Sequence, residues 1–454
     1  MVRPKTQFVC ANCGYKSPRW QGKCPQCEQW NTFSEQAETG ASKAVGQASP
    51  GKVMRLSQLA PWEQDRLTTG IQEFDAVLGG GLVPGSLVLL GGDPGVGKST
   101  LALQTAVFLE KQHNAILYVS GEESGQQIRL RSDRLDKQND LSILAETNLE
   151  VILATLVAEQ PSVAVIDSIQ TMHSEQVNGV VGGVSQIAFA TNSLMRVAKE
   201  YHIAIIIIGH VTKEGMLAGP KTLEHMVDTV LYLEGERFTS LRLLRCNKNR
   251  FGSTGEVGVF EMQGEGLVEV KNPAELFLEH RDEQLPGNCV SAILEGNKVL
   301  LLEVQALTSA TSFGYPRRAA SGFDLNRLQL LIAILQKRLA VHLNNQDVYI
   351  NVAGGFSLDE RAADLPVALS ILSSLKDHAL PAGLLAFGEI GLSGEIRGVT
   401  QVEKRLKEAE KLGFKTVLLG GRKDNGLKAK FKKLDIVSIT HIKDLLLRFP
   451  ETKK

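Results

Sequence analysis

The chain has little that would commit it to a membrane, a secretory route or a highly charged partner. Residues Met1–Cys10 hold no apolar h-region, so the expectation is a protein without a secretory signal. No apolar run is longer than a buried strand such as Ile203–Ile208, far short of the ~20 residues that cross a bilayer, so no membrane partner is expected. Net charge is also lacking: 50 basic residues balance 50 acidic ones, which leaves local patches as the only electrostatic route to nucleic acid. Cysteine is scarce, with six in 454 residues. A cytoplasmic location is expected, and clustered cysteines in that compartment read as metal ligands rather than disulfides.

What the chain does have is a composition for packing. Apolar residues make up 43 %, and a chain of this length exceeds one ordinary core, so two or three domains are expected. Near the C-terminus, residues Gln401–Lys454 carry 15 Lys/Arg against 7 Asp/Glu. That local excess is either a solvated helix surface or a surface for duplex DNA.

Four of the cysteines form two Cys-x-x-Cys pairs, Cys10/Cys13 and Cys24/Cys27. Each pair can turn two thiolates onto one centre, and four sulfur ligands with no open position favour structural Zn²⁺. A redox dithiol would need a βαβ context that this segment lacks. With about thirty residues, the module must draw most of its folding energy from the metal. Arg3, Lys5, Lys16, Arg19 and Lys23 outnumber Glu28 there, and Trp20 and Trp30 either pack the small core or offer a surface to nucleic acid or protein. Ser34–Lys52 lacks periodicity and reads as a linker.

Leu87–Leu90 reads as a buried strand, followed by Gly92-Asp93-Pro94-Gly95-Val96-Gly97-Lys98-Ser99-Thr100 and a helical pattern. This is a P-loop in its strand–loop–helix setting, whose glycines let backbone N–H groups wrap phosphates. Lys98 is expected to neutralise the β- and γ-phosphates of ATP, and the Ser99 hydroxyl to ligate Mg²⁺. Two further strands end on acids: Ala115–Val119 runs into Glu122 and Glu123, and Ser162–Ile166 into Asp167. Asp167 is the expected Mg²⁺ partner, and Glu122 or Glu123 the candidate for orienting the attacking water. Ile203–Ile208 ends at His210, either a γ-phosphate sensor or a structural histidine. Strands alternating with helices, with polar signals at strand ends, describe a doubly wound α/β sheet.

The Ser-Gly-Glu-Glu run after the second strand and the Asp-Ser ending resemble RecA and the DnaB helicases. Lys248-Asn249-Arg250-Phe251-Gly252, with the four-cysteine module and the C-terminal region, resembles the bacterial RadA (Sms) family of DNA-repair ATPases over essentially the whole chain. The resemblance implies several roles. It ranks Glu122 above Glu123 as the catalytic glutamate. Lys248 and Arg250, following a strand Ser240–Cys246, would reach a neighbouring subunit's ATP. Glu175–Gly183 and Lys213–Lys221 would be DNA-binding loops, with Lys213 and Lys221 as their charges.

From about Pro286 the pattern resembles the proteolytic domain of Lon, which cleaves with a Ser–Lys dyad. The serine position falls on Ala363 or Asp364 and the lysine position on or beside Glu403. Neither alanine nor aspartate can replace an alkoxide-forming serine, so this α+β domain is expected to be a non-proteolytic scaffold.

The expected organisation is a four-cysteine module at 1–33, a linker at 34–54, a RecA-like ATPase at 55–273 and a Lon-like domain at 274–454. The resemblance implies a homo-oligomeric, hexameric ring that binds single-stranded and branched DNA and drives branch migration alongside RecA recombinase. An ATP-gated scaffold resembling the circadian-clock ATPases and an ATP-dependent protease are the rival readings.

Overall fold

The computed structural model describes residues 6–10, 15–17, 19–25, 29–30, 32–37, 55, 57, 65–209, 220–235, 240–270, 285–312, 314–421 and 426–445. The chain divides into two compact units, Met1–Glu63 and Gln64–Lys454.

The first unit is a three-stranded antiparallel sheet of β1 (Thr6–Cys10), β2 (Lys16–Ser17) and β3 (Phe33–Ala37), with β1 in the centre. Its core is minute: Cys10, Cys24 and Phe33 are buried, with Phe8 packed beside them. Tyr15 meets Phe33 edge-to-face, with ring centroids 6.5 Å apart.

The second unit begins with α1 (Gln72–Leu78) and β4 (Leu87–Gly91), then α2 (Lys98–Lys111), β5 (Ile116–Ser120), α3 (Gly125–Leu135) and β6 (Ser142–Ala145). It continues through α4 (Leu149–Glu159), β7 (Val163–Asp167), α5 (Val184–Tyr201), β8 (Ala204–Ile208), α6 (Pro220–Met226), β9 (Thr229–Glu234), β10 (Leu241–Asn249), β11 (Val257–Gln263) and β12 (Gly266–Glu269). The strands form one nine-stranded sheet in the order β12-β11-β10-β9-β4-β8-β7-β5-β6. The pairings from β9 to β6 are parallel, and those from β9 to β12 antiparallel.

Local sequence explains the pattern. β4, β5, β7 and β8 are buried along their whole length, as parallel strands covered on both faces must be. Helix starts are set by side-chain caps: Ser124 and Gln127 form a reciprocal capping box on α3, and Asn148 Oδ1 accepts from Val151 N on α4 at 3.1 Å. The expected doubly wound sheet is therefore present, with helix-facing cores on its two sides.

A seven-stranded sheet follows, in the order β15-β16-β14-β13-β17-β20-β21. It comprises β13 (Asn288–Glu295), β14 (Lys298–Ala310), β15 (Arg318–Ser321), β16 (Gln346–Val352), β17 (Leu384–Phe387), β20 (Thr416–Gly420) and β21 (Asp435–Ile439). The two-stranded ribbon of β18 (Glu389–Ile390) and β19 (Ile396–Arg397) lies between β17 and β20 in sequence. Helices α7 (Leu325–Leu339), α8 (Asp364–Leu375) and α9 (Val402–Lys411) complete this α+β layer. Leu243, Val257 and Val259 of the ATPase sheet are in the same buried cluster as Ile293, Leu300 and Leu302, so the two sheets share a core. Lys298 Nζ also reaches Glu73 at 2.7 Å.

Candidate nucleotide site

The parallel strands deliver their C-terminal ends to one edge, and the chemistry-bearing side chains gather there. After β4, Gly92 turns with φ 146°, and a Cβ on it would run into the Leu233 carbonyl, so no other residue fits. Pro94 and Gly95 are exposed at the crest of the loop, while Asp93 is half-buried and Val96 buried. Gly97 and Lys98 then open α2, with Ser99 and Thr100 in its first turn.

Lys98 is 3 % exposed, and its Nζ donates to the Gly92 and Asp93 carbonyls, both at 3.0 Å. Burial pushes its pKa down, while Asp167, Asp93 and Glu122 hold it up. Across the register Ser120 pairs with Asp167, so β5 and β7 end side by side. Asp167 is buried; its Oδ2 accepts from the Tyr118 hydroxyl at 2.7 Å, and the Ser99 hydroxyl also bonds it. Burial raises the Asp167 pKa, and those two hydrogen bonds lower it.

The two glutamates differ. Glu122 Oε1 accepts from the Ser168 hydroxyl at 2.5 Å, and its charge acts on both Lys98 and Asp167. Glu123 turns to Arg131, at 2.8 Å. Tyr118 and Arg131 were not singled out by the sequence, and Ser168 entered only as part of the Asp-Ser ending; nor was Arg242 singled out, whose Nε donates to the P-loop carbonyl of Val96 at 3.0 Å. Tyr118 and Ser168 meet their carboxylates across the paired ends of β5 and β7, Arg131 reaches Glu123 from α3, and Arg242 reaches the P-loop from β10.

Lys248 and Arg250 stand elsewhere. The sequence expectation ended the strand at Cys246; instead β10 runs on to Asn249, with its register shifted between Cys246 and Lys248. Leu243 pairs with Glu234 at the P-loop end of β9, and Lys248 with Val230 at the opposite end. Six residues of strand separate Arg242 from Lys248, roughly 20 Å. Lys248 Nζ donates to the carbonyls of Glu224 at 2.7 Å, Val227 at 2.7 Å and His225 at 3.3 Å, at the C-terminal end of α6. Burial and then the Arg250 charge push its pKa down, against Asp228 and Glu224. Arg250 Nη1 pairs with Asp228 at 3.1 Å and remains half exposed. Asn249 Nδ2 donates to the Leu78 carbonyl at 3.0 Å, at the end of α1, and Gly252 lies against Gly79.

His210 and Lys213 lie outside the described residues, and Lys221 is on α6 with its side chain outside them. The Glu175–Gly183 stretch is anchored by Gln186, whose Nε2 donates to Ser174 O and Val177 O at 3.0 and 2.6 Å, and it exposes Val180 and Val181.

In the first unit, Cys10 N donates to Tyr15 O and Cys24 N to Gln29 O, both at 2.9 Å. The same bond at both cysteines, to the carbonyl five positions on, and their burial in one cluster fit a pair of metal knuckles; Cys13 and Cys27 lie outside the described residues. In the C-terminal layer Asp364 is 1 % exposed and held by Arg327, whose Nε donates to Oδ1 at 2.8 Å, while Ile390 N donates to Oδ2 at 3.0 Å. Ala363 is buried beside it, and the exposed Glu403 pairs with Lys430.

A backbone cradle, a buried lysine, and a hydroxyl–carboxylate pair of the kind that holds a divalent cation define the class: a RecA-like P-loop ATPase, joined to a Lon-like layer and a zinc ribbon. Family descriptions match along the chain: an AAA domain at 54–216, a rubredoxin metal-binding domain at 8–35 and the ChlI subunit of Mg-chelatase at 326–422. The DNA repair protein RadA of Bacillus subtilis is 47 % identical over 98 % of this chain and 99 % of its own. That of Listeria monocytogenes is 48 % identical over 97 % of both. A crystal structure of the RadB recombinase is similar over 45 % of this chain and 100 % of its own, at 21 % identity and a TM-score of 0.37. The chain belongs to the RadA family of DNA repair proteins.

Proposed function

We propose that this chain is a DNA-dependent ATPase of recombinational repair, which works as a hexameric ring in the cytoplasm. It translocates on single-stranded and branched DNA and promotes branch migration with RecA. Lys98 neutralises the β- and γ-phosphates in a cradle built by Gly92, Asp93, Pro94, Gly95, Val96, Gly97 and Thr100. Ser99 would ligate Mg²⁺, with Asp167 supporting the ion from behind its direct ligands, and Glu122 orients the attacking water, with Ser168 fixing its carboxylate. Four thiolates from Cys10, Cys13, Cys24 and Cys27 hold Zn²⁺. The division of labour follows the chain: metal module 1–33, linker 34–54, ATPase 55–273 and non-proteolytic Lon-like domain 274–454.

One observation carries the reading: β10 bears Arg242 on its own P-loop and Lys248 with Arg250 at the far end of the sheet. Those two cations lie beyond reach of their own nucleotide site, which supports their service to a neighbour's. There they would stabilise charge building on the γ-phosphate. Lys248 also ties down α6, the helix that bears the proposed DNA contact Lys221 and follows the stretch with the proposed sensor His210 and DNA contact Lys213. A shift of Lys248 towards phosphate would release that helix end, which links hydrolysis to DNA movement. The test is extension of a RecA-made D-loop with ATP. Extension that needs both ATP and this protein supports the reading; extension at the same rate without it would sink it.

A further inference from the structure

The tryptophans of the zinc module have no part in the nucleotide site and none in the module's core. Phe8, Cys10, Cys24 and Phe33 fill that core. Trp20 keeps 55 % of its surface in solvent and Trp30 keeps 69 %. The two converge on Gly22: a Cβ built there would stand 3.7 Å from Trp20 Cη2 and 3.8 Å from Trp30 Cζ3. Two large apolar side chains left open side by side on so small a unit mark a binding surface.

The pair is held in place by the fold around the metal. Ser17, itself buried, accepts from Arg19 N at 3.2 Å and donates to Arg19 O at 2.6 Å, which fixes the turn that carries Trp20. Lys23 and Trp30 pair as an antiparallel bridge, and the Cys24 N–Gln29 O bond closes the second knuckle directly before Trp30. The backbone that carries both indoles is therefore held before any ligand arrives, which lowers the entropy lost on binding.

The surroundings select the ligand. Arg19, Gln21, Lys23 and Gln29 are exposed around the indoles, and no carboxylate occurs in residues 19–25 or 29–30. Planar aromatic faces among cations and amides suit a base to be stacked and a phosphate to be neutralised. A duplex keeps its bases stacked on one another, so the ligand is single-stranded.

We propose that Trp20 and Trp30 form a stacking platform for unpaired bases of single-stranded DNA, with Arg19 and Lys23 on its backbone. The proposal extends the DNA-dependent reading above by giving the zinc module its own strand contact.

The full chain carrying Trp62→Phe reports from these two indoles alone, since it has three tryptophans. A labelled dT oligonucleotide is titrated in, with binding followed by anisotropy and tryptophan emission recorded together. The emission falls on binding of the dT strand, and much less on binding of an abasic strand of equal length or a duplex. Trp20→Ala with Trp30→Ala weakens dT binding by about ten-fold or more, with zinc content unchanged, and Trp20→Phe with Trp30→Phe restores most of it. If the alanine pair loses zinc, the emission result decides alone. Bound strand with unaltered emission overturns the platform and leaves the protein-docking alternative. No bound strand at all overturns the DNA-dependent reading as well.

Discussion

At the candidate nucleotide site Lys98 is the residue proposed to meet the phosphate charge. Lys98 is held among the Gly92 and Asp93 carbonyls within the fields of Asp167, Asp93 and Glu122. Lys98→Ala is expected to abolish ATP turnover with the fold retained; normal turnover in a phosphate-release assay would mean that the nucleotide site is elsewhere. The glutamates separate by partner. Glu122→Gln is expected to lower turnover by roughly a hundred-fold or more, the usual range for a general base. Glu123→Gln, which only loses Arg131, should cost far less; equal losses would refute the assignment. In the C-terminal layer, Asp364→Ala leaves the Arg327 guanidinium, 12 % exposed, without its carboxylate. That should cost about 3–5 kcal/mol of stability in denaturant unfolding, and a loss below 1 kcal/mol would show that Arg327 finds water. Lys98, Ser99 and the acids could be read because each lies in a short motif at the C-terminal end of its own strand. Tyr118 on Asp167, Ser168 on Glu122 and Arg327 on Asp364 could not, because each bridges residues set together only by register or packing.

At the scale of elements, the strands with continuous apolar runs were legible to within a residue or two, as Ala204–Ile208 shows. The end of β10 was not. Asn247, Lys248 and Asn249 look like a turn by composition, yet backbone pairing with β9 across a bulge keeps them in the sheet. That pairing sets Lys248 against the end of α6, and the proposed function adds a second task, reaching a neighbour's phosphate. Lys248→Ala should still fold, with thermal unfolding lowered modestly by the loss of its bonds to α6, while DNA strand displacement collapses. Displacement at the wild-type rate would contradict the link between α6 and hydrolysis.

For the whole molecule, the two sheets of the second unit share buried residues, so a chain cut between them should lose solubility rather than yield two independent parts. Among the described residues the zinc module has only a handful of buried side chains, so its fold is expected to follow its metal. Cys27→Ser should therefore purify without zinc, as metal analysis of the variant would report; wild-type zinc content would exclude the four-thiolate site. The proposed assembly divides each nucleotide site between two chains. The direct measurement mixes two inactive proteins, Lys98→Ala and the double variant Lys248→Ala with Arg250→Ala, and follows DNA-stimulated ATP turnover after subunit exchange. An intact P-loop on one chain then meets intact cations on its neighbour, and turnover should reappear. Turnover that stays at the level of the separate variants would contradict a site shared between subunits.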